Sequence, residues 1–142
     1  MDKFGKSQPV TRVEDVRFLT GQGRYIDDIA PQDALYAVFF RSPVAHADIV
    51  SLDLDEARAA PGVRLVVTED DLLAAGIDTA IPGAVVSNRD GSKGAAPKRP
   101  VLAKGRVRYV GEPVVMVVAD RADQARDAVE LSGFDYEERA VK

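Results

Sequence analysis

Residues 113–131 read "PVVMVVADRADQARDAVEL", and the fold turns on this stretch. Val114–Ala119 is an unbroken apolar run, the pattern of a strand buried on both faces rather than one with a wet side. The run stops at Asp120, a residue that caps helices, and Asp123 falls three positions later, where a capping box needs its second carboxylate. Ala122, Ala125, Ala128 and Val129 then recur three and four apart, as one apolar helical stripe. The stretch predicts a central strand, a tight connection and an amphipathic helix to about Leu131. Gly133–Tyr136 begins a last strand.

The same outline occurs earlier in the chain. Ile49–Leu54 alternates, which places Val50, Leu52 and Leu54 on one face. Asp55–Ala60 is a short alanine-rich helix ended by Pro61-Gly62, and Val63–Thr68 is a strand. Thr68–Ala75 is a further helical turn, with Thr68 as cap, Asp71 at the capping-box position and Gly76 past its end. Neither strand–helix–strand segment can bury its helix stripe alone, but stacked on one mixed sheet the two can. Ala34–Arg41 ("ALYAVFFR") is apolar on both faces and reads as a buried strand broken by Ser42-Pro43. Arg106–Val110 alternates, with Val107 and Tyr109 on one face. Residues 81–100 are punctuated by Pro, Gly, Ser and Asn, with a turn at Asp90-Gly91. Seven basic residues and one acidic residue fall between Arg89 and Arg108, which makes this either a solvated loop or a cationic lip at an interface.

Residues 1–33 show no period and read as an extended arm with a turn at Thr20–Arg24 and a short strand near Tyr25. Residues 34–142 form the body. The expectation is an α+β single domain of six or seven strands and two or three short helices. Its core is Leu35, Val38, Phe39, Ile49, Val66, Val114, Val115, Val117 and Val118 with the Ala125–Val129 stripe.

Composition removes whole classes of chemistry. The 142 residues carry no cysteine and a single histidine. Thiolate metal sites, iron–sulfur ligation, a cysteine nucleophile and multi-histidine metal centres are therefore excluded. A formal net charge of −4 argues against general binding to nucleic acid or anionic membrane. The apolar runs are too short to insert in a bilayer, no secretory signal opens the chain, and a cytoplasmic setting is the default.

The remaining motifs are incomplete. Gly21-Gln22-Gly23 lacks the third glycine and the strand–helix flanks of a phosphate loop, and reads as a turn. Asp27-Asp28 lacks the spacing of a calcium loop. His46 has Asp48 two residues on, with no activated nucleophile beside it, so the two are expected to be a structural polar pair. Tyr109, Gly111 and Glu112, at the strand break, either face a pocket, channel or interface or simply end the edge. No catalytic, cofactor-binding or metal-ligating residue is assigned.

Taken in order, "RVEDVRFLTGQGRYIDDI", "FRSPVAHADIVSLDLDEARAAPGV", "VTEDDL", "PVLAKGRVRYVGEPVVMVVADRADQARDAVEL" and "FDYEE" resemble the N-terminal α/β-hammerhead domain of molybdenum hydroxylase large subunits. That family includes xanthine dehydrogenase, aldehyde oxidase and aerobic carbon monoxide dehydrogenase. The resemblance covers about Val13–Glu137, and the arm is most similar to the carbon monoxide dehydrogenase-like branch. It implies a domain that packs beside the molybdenum domain without being catalytic alone. It also implies that the molybdopterin cofactor and the catalytic glutamate belong to other domains, with iron–sulfur clusters and flavin in further domains or subunits. The family's closing Leu-Pro after the tyrosine and glutamate is replaced here by "EERAVK", and many relatives have glutamine where Glu112 stands. The alternative is a stand-alone structural or binding module that reuses the fold.

Overall fold

The computed structural model describes residues 11–29, 31–81, 83 and 85–140. The first ten residues of the expected arm lie outside this set. The chain divides into two units, Met1–Ala34 and Leu35–Lys142.

Within the first unit, a short helix α1 (Asp15–Leu19) precedes the turn, and Ile26–Asp28 is a single 3-10 turn. The strand expected near Tyr25 is not there. Tyr25 is extended, but its backbone N–H donates to Asp28 Oδ2 at 2.8 Å as the cap of the 3-10 turn, which takes that donor out of any strand ladder. α1 is held at one end by the Arg12 N–H donating to Asp15 Oδ2 at 3.0 Å. At the other, Thr20 Oγ1 donates to the Val16 carbonyl at 2.7 Å. The Thr20–Arg24 turn brings Phe18 onto Tyr25, with ring centroids 5.5 Å apart. A Cβ at Gly23 would meet the Phe18 ring at 2.5 Å, so the second glycine of the motif makes room for an aromatic ring.

The second unit holds eight strands and three helices among its described residues: β1 (Tyr36–Arg41), β2 (Ala47–Asp53), α2 (Asp55–Ala59), β3 (Val63–Val67), α3 (Glu69–Ala74), β4 (Ala80–Ile81), β5 (Arg99–Pro100), β6 (Arg106–Val107), β7 (Pro113–Ala119), α4 (Ala122–Glu130) and β8 (Gly133–Glu138). The α+β class is as expected, but the described residues hold eight strands and, with α1, four α-helices, one more of each than the upper expectation. The strands do not share one mixed sheet. They form two three-stranded sheets, ordered β1-β7-β3 and β6-β2-β8, and a two-stranded β4-β5 ladder. Every pairing is antiparallel. The two strand–helix–strand segments interlock: β3 of the first pairs with β7 of the second, and β2 of the first pairs with β8 of the second.

β7 is the central strand its apolar run predicts, with Val114, Val115 and Val117 fully buried. α4 packs across β1 and β7, burying Ala125 and Ala128, with α2 beside it. The core is continuous from Val114, Val115 and Val117 through Leu54 and Val66 to Ala47 and Val107 of the other sheet.

Three expected features differ. Leu35 is 51% exposed because it lies just before β1, and Val38 and Phe39 are only half-buried because β1 is an edge strand paired on one side. The face of β2 changes partway. Ile49 pairs with Tyr136 and Ser51 with Asp135, so Val50 is an extra residue, a bulge that resets the alternation. Ile49 and Leu52 therefore pack on the core while Val50 is exposed. Asp120 does not cap α4; its carboxylate takes two bonds from Arg64, at 2.7 and 2.8 Å. Thr68 and Asp71 do form the expected capping box on α3.

Candidate functional site

The break between β6 and β7 is built around Gly111 and Glu112. Gly111 has φ +87°, a conformation that a side chain strongly disfavours, and it lets the chain reverse in one step. The reversal is locked to the residue following β1. The Gly111 N–H donates to the Ser42 carbonyl at 2.8 Å, and the Ser42 N–H donates to the Glu112 carbonyl at 2.9 Å. Arg41 Nη1 adds a bond to the Gly111 carbonyl at 2.9 Å. Glu112 turns its side chain inward, where only 5% remains exposed. One carboxylate oxygen accepts from the Arg108 backbone N–H at 2.5 Å and the other from Arg108 Nη1 at 3.3 Å. A buried carboxylate is tolerable only when paired in this way.

Tyr109 does not share a buried face with Val107. β6 ends at Val107, and Tyr109, 55% exposed, projects from the turn. It lines a cleft of about 260 Å³ with Ile81, Lys98, Arg99, Pro100, Arg108 and Glu112. Gly111 is not among the lining residues. A neighbouring cavity of about 320 Å³ shares Lys98, Pro100 and Arg108, and is completed by Glu69, Leu73, Asp78, Thr79, Ala80 and Lys104. Residues 81–100 thus supply one wall of both. The loop is partly ordered as a hairpin: β4 pairs with β5, Ser87 bridges to Lys93, and the Asp90-Gly91 turn is closed by the Gly91 N–H donating to the Asn88 carbonyl at 3.0 Å.

Glu69 is a buried carboxylate that the pattern reading missed. It sits at the first position of α3, accepts a bond from the Thr79 hydroxyl and another from the Leu102 N–H at 3.3 Å, and ties α3 to the strands around the cavity. The only sequence signal is that "TEDD" holds two acidic residues beyond the one that the capping box uses.

His46 and Asp48 are not bonded to each other. His46 Nδ1 lies 3.0 Å from the Ala140 carbonyl, which can only accept, so that nitrogen carries the proton. Asp48 accepts from Arg106 Nε at 2.7 Å and from Arg139 Nε at 2.5 Å. These bonds, Arg106 first, hold its carboxyl below the usual carboxylate range. Asp48 ties β2 to both edges of the β6-β2-β8 sheet, His46 holds only the chain that follows β8, and neither lines the clefts described.

Neither the Gly21–Gly23 turn nor the buried carboxylates fit a molybdopterin. The glycine turn is filled by Phe18, and the buried carboxylates are already engaged by backbone and arginine donors. Among the described residues no three His, Asp or Glu side chains converge as metal ligands. No described helix is long and apolar enough to cross a membrane.

A family model described as aldehyde oxidase and xanthine dehydrogenase, a/b hammerhead domain, matches residues 20–140. The nicotine 6-hydroxylase large subunit of Paenarthrobacter nicotinovorans is 44% identical over 140 residues, which is 97% of this chain and 16% of that one. The carbon monoxide dehydrogenase large chain of Afipia carboxidovorans is 38% identical over 128 residues, 89% of this chain and 14% of that one. Among solved structures, quinoline 2-oxidoreductase from Pseudomonas putida 86 superposes with a TM-score of 0.80 at 40% identity, over 92% of this chain and 16% of that one. The chain therefore spans less than a fifth of the length of these relatives.

Proposed function

The chain belongs to the aldehyde oxidase and xanthine dehydrogenase α/β hammerhead domain family, and from that premise we propose that it serves as the non-catalytic hammerhead domain of a molybdopterin-dependent oxidoreductase large subunit. One observation carries the reading: nearly the whole chain matches a segment that makes up 16% of a hydroxylase large subunit. The relatives' names span nicotine, carbon monoxide and xanthine as substrates, so the shared segment goes with the type of enzyme and not with one substrate. In this role the domain packs against a molybdenum-bearing domain, in the same subunit or a separate chain. Iron–sulfur and flavin components complete the electron path, and the assembly works in the cytoplasm. This chain's own residues hold shape: the Glu112–Arg108 lock and the Asp48 clamp fix the surfaces presented to the neighbour.

The test is affinity purification of the tagged chain from its native cells, followed by metal analysis. Molybdenum copurifying in near-stoichiometric amount is the expected result. A chain that purifies alone and without molybdenum overturns the assignment.

A further inference from the structure

The cleft between the β4–β5 ladder and the Arg108–Glu112 turn has a composition that the fold does not require. Lys98, Arg99 and Arg108 line it, in a chain whose net charge is −4. Arg108 is committed to Glu112 and to the Arg106 carbonyl. Among the described residues neither Lys98 nor Arg99 has a carboxylate within 4 Å, although seven other ion pairs form. The cleft therefore keeps two uncommitted cations over a floor whose one carboxylate is already satisfied. Beside the charges lie apolar groups left open to solvent: Ile81, Val101 and Tyr109 are 49%, 41% and 55% exposed. Exposed tyrosine and arginine beside a recess are the composition of an interaction surface rather than of a solvated loop.

We propose that this cleft is the docking surface for an acidic polypeptide segment. A carboxylate of the partner sits between Lys98 and Arg99, and an adjoining apolar side chain packs on Tyr109 and Pro100. A polypeptide is favoured over a small ligand on two grounds. The apolar groups of the recess continue outside it along Val101, an open surface rather than an enclosed pocket. The relatives' chains are also about six times as long as the matched segment, so a polypeptide neighbour at this surface follows from the function proposed above, on which this inference rests.

The experiment has two arms. In the first, wild type and the double variant Lys98→Glu/Arg99→Glu are purified from native cells, after circular dichroism and thermal melting confirm that the variant folds. Molybdenum recovery with the variant is expected to fall at least tenfold. Equal recovery overturns the docking surface and leaves the functional reading standing. If wild type itself brings no molybdenum, the functional reading fails and the second arm decides alone. There the purified chain is titrated with an acetylated peptide, Asp-Glu-Phe-Glu, while amide NMR shifts are followed. Saturable shifts at 98–101 and 108–112 are expected, weakened about tenfold by 0.5 M NaCl and by the double variant. Absence of those shifts overturns the proposal. So does inorganic phosphate producing them as tightly as the peptide, since that is a general anion site.

Discussion

At the scale of single residues, Glu112 is the most constrained group near the cleft. Its carboxylate satisfies the Arg108 backbone donor as well as the guanidinium, so the type of replacement matters. Glu112→Ala leaves a part-buried N–H unpaired and is expected to cost about 1–2 kcal/mol. Glu112→Gln keeps an acceptor for that N–H and is expected to cost about half as much. Urea midpoints of the two variants check this, and equal losses would show that the ion pair, not the backbone acceptor, dominates. Asp48 gives a pH test. Its folded carboxyl is held down by Arg106 and Arg139, so its stabilisation is present above the unfolded value, near 3.9. It is lost as pH falls through the lower folded value. The gap in urea midpoint between wild type and Asp48→Asn should be constant from pH 7 to pH 5 and close below about pH 4. A gap that widens in acid would reverse the sign and remove the clamp.

At the scale of elements, two residues that the sequence offers as helix caps, Thr68 and Asp120, do different work. Thr68 and Asp71 form a reciprocal cap, in which Asp71 Oδ2 accepts from the Thr68 N–H at 2.8 Å. Thr68→Ala should therefore cost about 1 kcal/mol, read from thermal unfolding, and a cost near zero would mean that α3 is held by Glu69 alone. Thr68 lies immediately before α3, but Asp120 lies two residues before α4 and pairs instead with Arg64 across the sheet. Asp120→Asn should then be no worse in a background of Arg64→Gln than Arg64→Gln alone, since the carboxylate acts through that arginine. This contrast marks what the sequence could and could not show. β7, the α4 stripe and the α3 cap were legible because each depends on neighbours within four residues or on a run too apolar to be wet. The edge position of β1, the bulge at Val50 and the partner of Asp120 depend on strands and side chains far along the chain, which no local pattern records. α1 was missed because five residues held by two side-chain bonds, with no buried stripe, leave no periodic signal. Of the candidate site, Tyr109 and Glu112 were legible as a strand break. Glu69 was hidden inside a capping motif, and Lys98 and Arg99 were visible only as part of a charge run.

At the scale of the whole molecule, the interlocked sheets share one core, so they should lose protection together. Native-state hydrogen exchange is expected to give amides of β7 and the β2–β8 ladder opening free energies within about 1 kcal/mol of each other, both near the global value. A β6-β2-β8 sheet that exchanges far more easily would show two separable cores. The same interlock has a consequence during synthesis. Tyr36 pairs with Ala119, and Ala47 with both Val107 and Glu138, so β1 and β2 find their partners only after roughly 60–90 more residues have been made. At about 5–20 residues per second that is a wait of roughly 3–18 seconds. Through it β1 and β2 stand with bare hydrogen-bonding edges, the surface that a nascent-chain chaperone would have to shield.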